Sequence, residues 1–236
     1  MSSIVFEEDH EEHHEDHAHH RVNGVMHQYE DIDQQNESYA VGMWTFLVTE
    51  VMMFGALFMA YTFYRWRYAE SFYSAHEHIK TWPGAVNTTL LLISSFTMVM
   101  AVHYTQLKKT KLVLQNLAAT IVCACAFLFV KIVFEYIPKF QDHLLPGPNF
   151  HWNTKEYGGS ENVAQIFYSF YFTMTGLHGI HVLVGILIIG FIALLHHKKV
   201  PAIVDDYMIT EMVALYWHFV DLVWIFLFPL YYLIPK

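Results

Sequence analysis

The chain has 236 residues, of which 55% are apolar, 17% aromatic and only 15% charged. A soluble domain of this size carries about a quarter charged residues, so the deficit excludes an ordinary water-soluble enzyme and points into a membrane. The formal charge of −9 is concentrated in the first 37 residues, so it says little about partners.

That first stretch holds Glu7, Glu8, Asp9, Glu11, Glu12, Glu15 and Asp16 interleaved with seven histidines. It lacks the apolar periodicity needed to bury surface, so residues 1–38 are expected to form a disordered cytoplasmic tail. No basic region followed by an apolar core marks a cleavable signal. His10-Glu11-Glu12-His13-His14 is similar to the histidine box of membrane di-iron enzymes. Those boxes sit on helices projecting from the bilayer, so a solvated tail or a weak divalent-metal binder is the simpler reading.

Five apolar runs follow, each long enough to cross about 30 Å as a helix. They lie near Val41–Phe63, Val86–Tyr104, Leu112–Tyr136, Val163–Leu195 and Glu211–Leu233. They show no strand-like alternation. The expected fold is therefore all-α, an integral membrane bundle of five transmembrane helices over residues 39–236. The short second and fourth connections carry Lys108, Lys109, Lys111, His196, His197, Lys198 and Lys199. They share one side, and their lysine density marks it as cytoplasmic. The N-terminus is then inside and the C-terminus outside. Residues 137–162, with three prolines and three glycines, read as an irregular external loop.

Polar residues inside the spans are the candidate site. Glu50 lies about nine residues into the first helix with apolar sequence neighbours, so desolvation favours its uncharged acid unless a partner intervenes. Lys131 and Glu135, four apart, share a helix face within ion-pair reach. His178 and His181 share a face of the fourth helix by their spacing of three, and so do His218 and Asp221 on the fifth. A charged aspartate at mid-membrane costs roughly 2.5–3.5 kcal/mol on the gentlest scale, so the fold must offset it. If Glu50, His178, His181, His218 and Asp221 converge, they form one buried polar or proton-related network. The alternatives are interhelical hydrogen bonds worth about 0.6 kcal/mol each, a proton path, or a bis-histidine haem between the last two helices. Cys123 and Cys125 sit two apart on different helix faces and suit packing. No cysteine pattern suits a copper-thiolate centre, so no metal or catalytic residue is assigned.

At this point the residues carry a resemblance. Trp44-Thr45-Phe46-Leu47-Val48-Thr49-Glu50-Val51, Asn87-Thr88-Thr89-Leu90-Leu91-Leu92-Ile93-Ser94-Ser95 and the run from Lys131 through Leu144-Leu145-Pro146-Gly147-Pro148 occur in order. Thr175-Gly176-Leu177-His178-Gly179-Ile180-His181-Val182 and Tyr216-Trp217-His218-Phe219-Val220-Asp221-Leu222-Val223-Trp224 follow. From about Tyr39 onward the chain resembles subunit III of the haem-copper cytochrome c oxidases, in a five-span bacterial form. The resemblance implies an accessory subunit of a proton-pumping aa3- or caa3-type oxidase in the bacterial cytoplasmic membrane. It implies no directly bound cofactor, haem and copper in partner subunits, and structural phospholipid. The implied partners are the catalytic subunit I, subunit II, membrane lipids and, on a larger scale, a respiratory supercomplex, with no nucleic acid. Glu50 matches the family's carbodiimide-reactive glutamate, which implies support of proton uptake. The seven-span mitochondrial form has two further helices where this chain has its acidic tail. The equivalent subunit of a quinol oxidase is an alternative, and a b-type haem electron carrier is a more distant one.

Overall fold

The computed structural model of the protein describes residues 29, 32–200 and 207–233. The histidine-rich part of the tail, residues 10–27, lies outside them. The chain divides into two units, Met1–Ser38 and Tyr39–Lys236.

Every regular element among the described residues is helical: α1 (Ile32–Arg67), α2 (Ala69–Glu77), α3 (Thr81–Gln106), α4 (Thr110–Lys131), a π turn (Ile132–Tyr136), α5 (Ile137–Gln141), α6 (Thr154–Tyr157), α7 (Glu161–His197) and α8 (Met208–Tyr232). Five helical stretches are long and apolar enough to cross a membrane, with α4, the π turn and α5 acting as one stretch, Thr110–Gln141. The helices overrun the apolar runs because backbone hydrogen bonding continues past the hydrocarbon into polar termini. Residues 32–38, expected in the tail, are already helical. The expected loop at 137 begins only after Gln141 and contains the single turn α6. The amphipathic α2 was not anticipated; it buries Phe72 and Ala75, and the Phe72 ring meets Tyr61 and Phe167 edge-on at 5.6 and 5.4 Å.

The bundle is laced by small hydroxyls of α3 against large residues of α8. Trp217 Nε1 donates to Ser94 Oγ at 3.2 Å, and Trp224 Nε1 donates to Thr88 Oγ1 at 3.1 Å. Thr97 and Thr120 tie α3 to α4 at 2.8 Å. In lipid the helices gain nothing from hiding apolar surface from water, so such bonds and close packing set the seams. Close packing is most acute at Gly185, where a Cβ would lie 2.7 Å from the Trp217 ring.

Three helices stop in the same way. Lys109 N–H reaches back to Tyr104 O, Leu144 N–H to Lys139 O, and Val200 N–H to Leu195 O. The residue before each donor, Lys108, His143 and Lys199, has φ of 54°, 55° and 51°. These are Schellman turns, which usually place glycine at that left-handed position. Here cations stand there instead, where they favour the negative end of the helix dipole.

Candidate functional site

The polar residues of the spans do not form one network. They separate into an inner pair, an outer cluster and isolated groups between them.

The inner pair joins α1 to α7. Glu50 Oε2 lies 3.0 Å from His181 Nε2. The carboxyl read as unpaired from sequence therefore has a partner 131 positions away, which sequence spacing could not reveal. His181 Nδ1 lies 2.8 Å from the Leu177 carbonyl. A carbonyl only accepts, so Nδ1 carries a proton. The Nε2···Oε2 bond then needs one further proton, held either by the carboxyl or by the imidazole. The pair is thus a one-proton device whose two forms differ only in which atom carries the charge or the hydrogen. Phe54 packs on the His181 ring at 5.4 Å, and Tyr216 Oη donates to the His181 carbonyl at 3.0 Å. The pair is not sealed: its side chains are 17% and 15% exposed. They line an apolar groove of about 470 Å³ with Met43, Phe46, Ile180, Val184, Ile188, Val213 and Tyr216.

The outer cluster is closed. Lys131 Nζ donates to Glu135 Oε2 at 2.6 Å, to Tyr232 Oη at 2.8 Å and to Tyr171 Oη at 3.1 Å. Both tyrosine hydroxyls also donate to Glu135 Oε2, Tyr232 at 2.5 Å and Tyr171 at shorter range. All three ammonium protons and one carboxylate oxygen are thus satisfied, as a buried ion pair requires if it is not to be a net cost. Lys139 adds weaker contacts, 3.4 Å each, to Glu135 O and Tyr171 Oη. Lys131, Glu135 and Lys139 are all buried. In a regular helix each step of four residues drifts about 40° around the axis. The π turn between Lys131 and Lys139 opposes that drift and keeps the three on the inward side. It also suits Pro138, which cannot donate to the carbonyl four residues back. The spacing of Lys131 and Glu135 was legible in the sequence, but the π turn and Tyr171, Tyr232 and Lys139 were not.

The remaining groups stand apart. His178 faces Phe127 and Trp224, with ring centroids at 5.5 and 5.2 Å, and not the inner pair. Neither of its nitrogens has a hydrogen bond. His218 Nδ1 meets Ser95 Oγ at 2.8 Å. Asp221, expected to share a polar pair with His218, is buried and neither oxygen is hydrogen-bonded. Ser95 is the polar side chain that acts on it. Spacing along one helix placed these residues correctly in depth but not in rotation. Cys123 and Cys125 are free thiols. Among the described residues no group of three or more metal-ligating side chains gathers.

Comparison with known proteins now has a geometry to meet. A family model described as cytochrome c oxidase subunit III matches residues 152–235, which span most of α7 and α8. The chain is 30% identical over 200 residues to cytochrome c oxidase subunit 3 of Thermostichus vulcanus, covering 83% of this chain and 87% of that one. It is 29% identical over 226 residues to the probable quinol oxidase subunit 3 of Staphylococcus saprophyticus, covering 89% and 97%. It is also 28% identical to part of the heme-copper oxidase subunit I+III of Aeropyrum pernix, covering 81% of this chain and 22% of that protein. With helices crossing in the same order as the motifs, the chain belongs to the subunit III family of haem-copper oxidases.

Proposed function

We propose that this chain is a cofactor-free accessory subunit of a proton-pumping oxidase, and that its inner pair, Glu50–His181, supports proton uptake by the catalytic subunit. The observation that carries this is the single-proton bond on the floor of the apolar groove. It can pass a proton between carboxyl and imidazole without moving either helix. Haem and copper belong to subunit I and subunit II on this reading. The packing of His178 between Phe127 and Trp224 supports it, since those rings fill the space a haem on that histidine would need. The protein sits in the bacterial cytoplasmic membrane with its N-terminus inside and C-terminus outside, as the lysine-bearing turns favour. Residues 1–38 form a cytoplasmic tail beside the transmembrane unit. Structural phospholipid and a respiratory supercomplex complete the set of partners. The electron donor is cytochrome c, with quinol as the second reading. That second reading is favoured by the relatives in staphylococci, which carry the name of a quinol oxidase subunit.

The test is the purified complex with Glu50→Gln in this subunit. Gln retains a donor for His181 Nε2 but cannot titrate. Slower proton uptake with unchanged subunit content supports the relay; unchanged uptake and unchanged lifetime over many turnovers overturn it. Oxidation of reduced cytochrome c against that of a quinol by the same preparation separates the two donors.

A further inference from the structure

A second cavity, of about 410 Å³, opens where the first turn of α3, the π turn, α5 and the 142–157 loop meet. Its volume lies in the range of small-molecule sites, about 300–1,000 Å³. It is lined by Lys80, Lys139, Glu135 and Asp142, with Trp152 and Phe134 among its walls. Both signs of charge are present, and much of their bonding capacity is unused. Lys139 holds only its two long contacts. Glu135 is 2% exposed, and its second oxygen, Oε1, has no hydrogen-bond partner. A carboxylate oxygen so deeply buried is expected to be satisfied, which points to a missing donor.

The walls are fixed. Trp152 Nε1 donates to Gly158 O at 2.9 Å, and His151 N–H donates to His143 O at 3.1 Å. The rim faces the bilayer: Phe134 is 41% exposed and packs on Trp82, itself 49% exposed, at 5.0 Å. Aromatics at this depth mark the headgroup level.

We infer that this cavity seats the headgroup of a zwitterionic phospholipid with a primary ammonium, a phosphoethanolamine head whose phosphate meets Lys80 and Lys139 and whose ammonium meets Asp142 and the Glu135 side. The acyl chains then leave over Phe134 and Trp82. A purely anionic head meets the two carboxylates unfavourably. A trimethylammonium head cannot donate to them, and the nearby rings offer it no open slot: His78, Trp152 and Tyr157 pack against one another at 4.2–5.3 Å. The inference deepens the lipid-holding part of the proposed function and does not depend on the electron donor or on the role of Glu50.

The experiment is native mass spectrometry of the intact oxidase complex, counting lipids retained by this subunit. The variant is Lys80→Gln with Asp142→Asn, both at the exposed rim and away from the buried cluster. Wild type is expected to keep one more phosphatidylethanolamine than the variant, with all other retained lipids unchanged. After delipidation, phosphatidylethanolamine is expected to refill the site at least ten-fold better than phosphatidylcholine or phosphatidylglycerol. Equal lipid counts in wild type and variant would overturn the assignment. Preference for phosphatidylcholine or phosphatidylglycerol would overturn the ammonium chemistry. Displacement by millimolar phosphoethanolamine alone would place the ligand in solution and not in the membrane. A general loss of lipids from wild type and variant alike would instead count against the wider lipid-holding role.

Discussion

The inner pair and the outer cluster solve the same problem in opposite ways. Each places ionisable groups where hydrocarbon would penalise charge. The outer cluster surrounds Lys131 and one oxygen of Glu135 with donors and acceptors until no site on them is free. The inner pair uses two side chains, one shared proton and an apolar groove beside them. Saturation fixes a charge in place; a single labile bond lets a proton change owners. The outer cluster therefore holds the bundle together, and the inner pair is the one suited to exchange.

The difference predicts where stability resides. Lys131→Met leaves Glu135 as a buried carboxylate without its cation and should cost about 3–5 kcal/mol. The subunit should then be lost from the complex or melt well below the wild type. Adding Glu135→Leu should recover most of that loss, because the unpaired charge is gone. A double variant as unstable as the single one would show that the tyrosines, not the ion pair, hold the cluster.

The next largest effect belongs to the seam behind the inner pair. Gly185→Ala puts a methyl against Trp217, one turn beyond His181 on α7. Overpacking of this kind costs about 1–3 kcal/mol. The displaced α8 should also loosen the Tyr216 clamp on the His181 carbonyl. Thermal unfolding in detergent checks the first expectation, and greater reactivity of Glu50 toward a hydrophobic carbodiimide checks the second.

Smaller still is the pair itself. Glu50→Leu removes one interhelical hydrogen bond, worth about 0.6 kcal/mol on average and no more than about 1.7. Glu50→Gln should lose less than that in the same unfolding assay. If Glu50→Leu destabilised as much as Lys131→Met, the contrast between exchanging and holding would collapse.

These expectations mark what the sequence made legible. Apolar length and composition located all five crossings, since a helix in lipid must satisfy its own backbone. The i, i+4 spacing located Lys131 with Glu135. Rotation about each helix axis was not legible. In a soluble protein polar residues mark the outward face, but lipid and core are both apolar, so nothing told the Glu135 side of the bundle from any other. Tyr171 and Tyr232 consequently looked like two of 15 tyrosines, and His181 looked like a companion of His178 and not of Glu50. The α2 helix escaped because its nine residues fall below the length at which apolar periodicity is distinctive.

The smallest expected effect lies on that helix, outside the spans. His76 Nδ1 donates to the Tyr231 carbonyl at 2.9 Å. Burial pushes its pKa below the usual value, and the bond to that carbonyl opposes the shift without cancelling it. The unfolded chain, with a histidine near about 6.5, therefore takes up the proton first as pH falls. The stabilising contribution is full above that value and declines below it. Hydrogen exchange in α2 should quicken between about pH 7 and pH 5.5, and His76→Gln should flatten the response. An unchanged slope in that variant would assign the pH dependence elsewhere.

The π turn has a genetic meaning as well as a geometric one. A wide turn accommodates one residue more than the α-helix it interrupts, so it can be viewed as a single-codon insertion. Deleting one residue from Ile132–Tyr136 would restore an ordinary helix and rotate everything after it by about 100°. Lys139, Pro138 and the anchorage of the 142–157 loop would swing off the bundle together. The outer face of this subunit is thus phased to its transmembrane core by one residue.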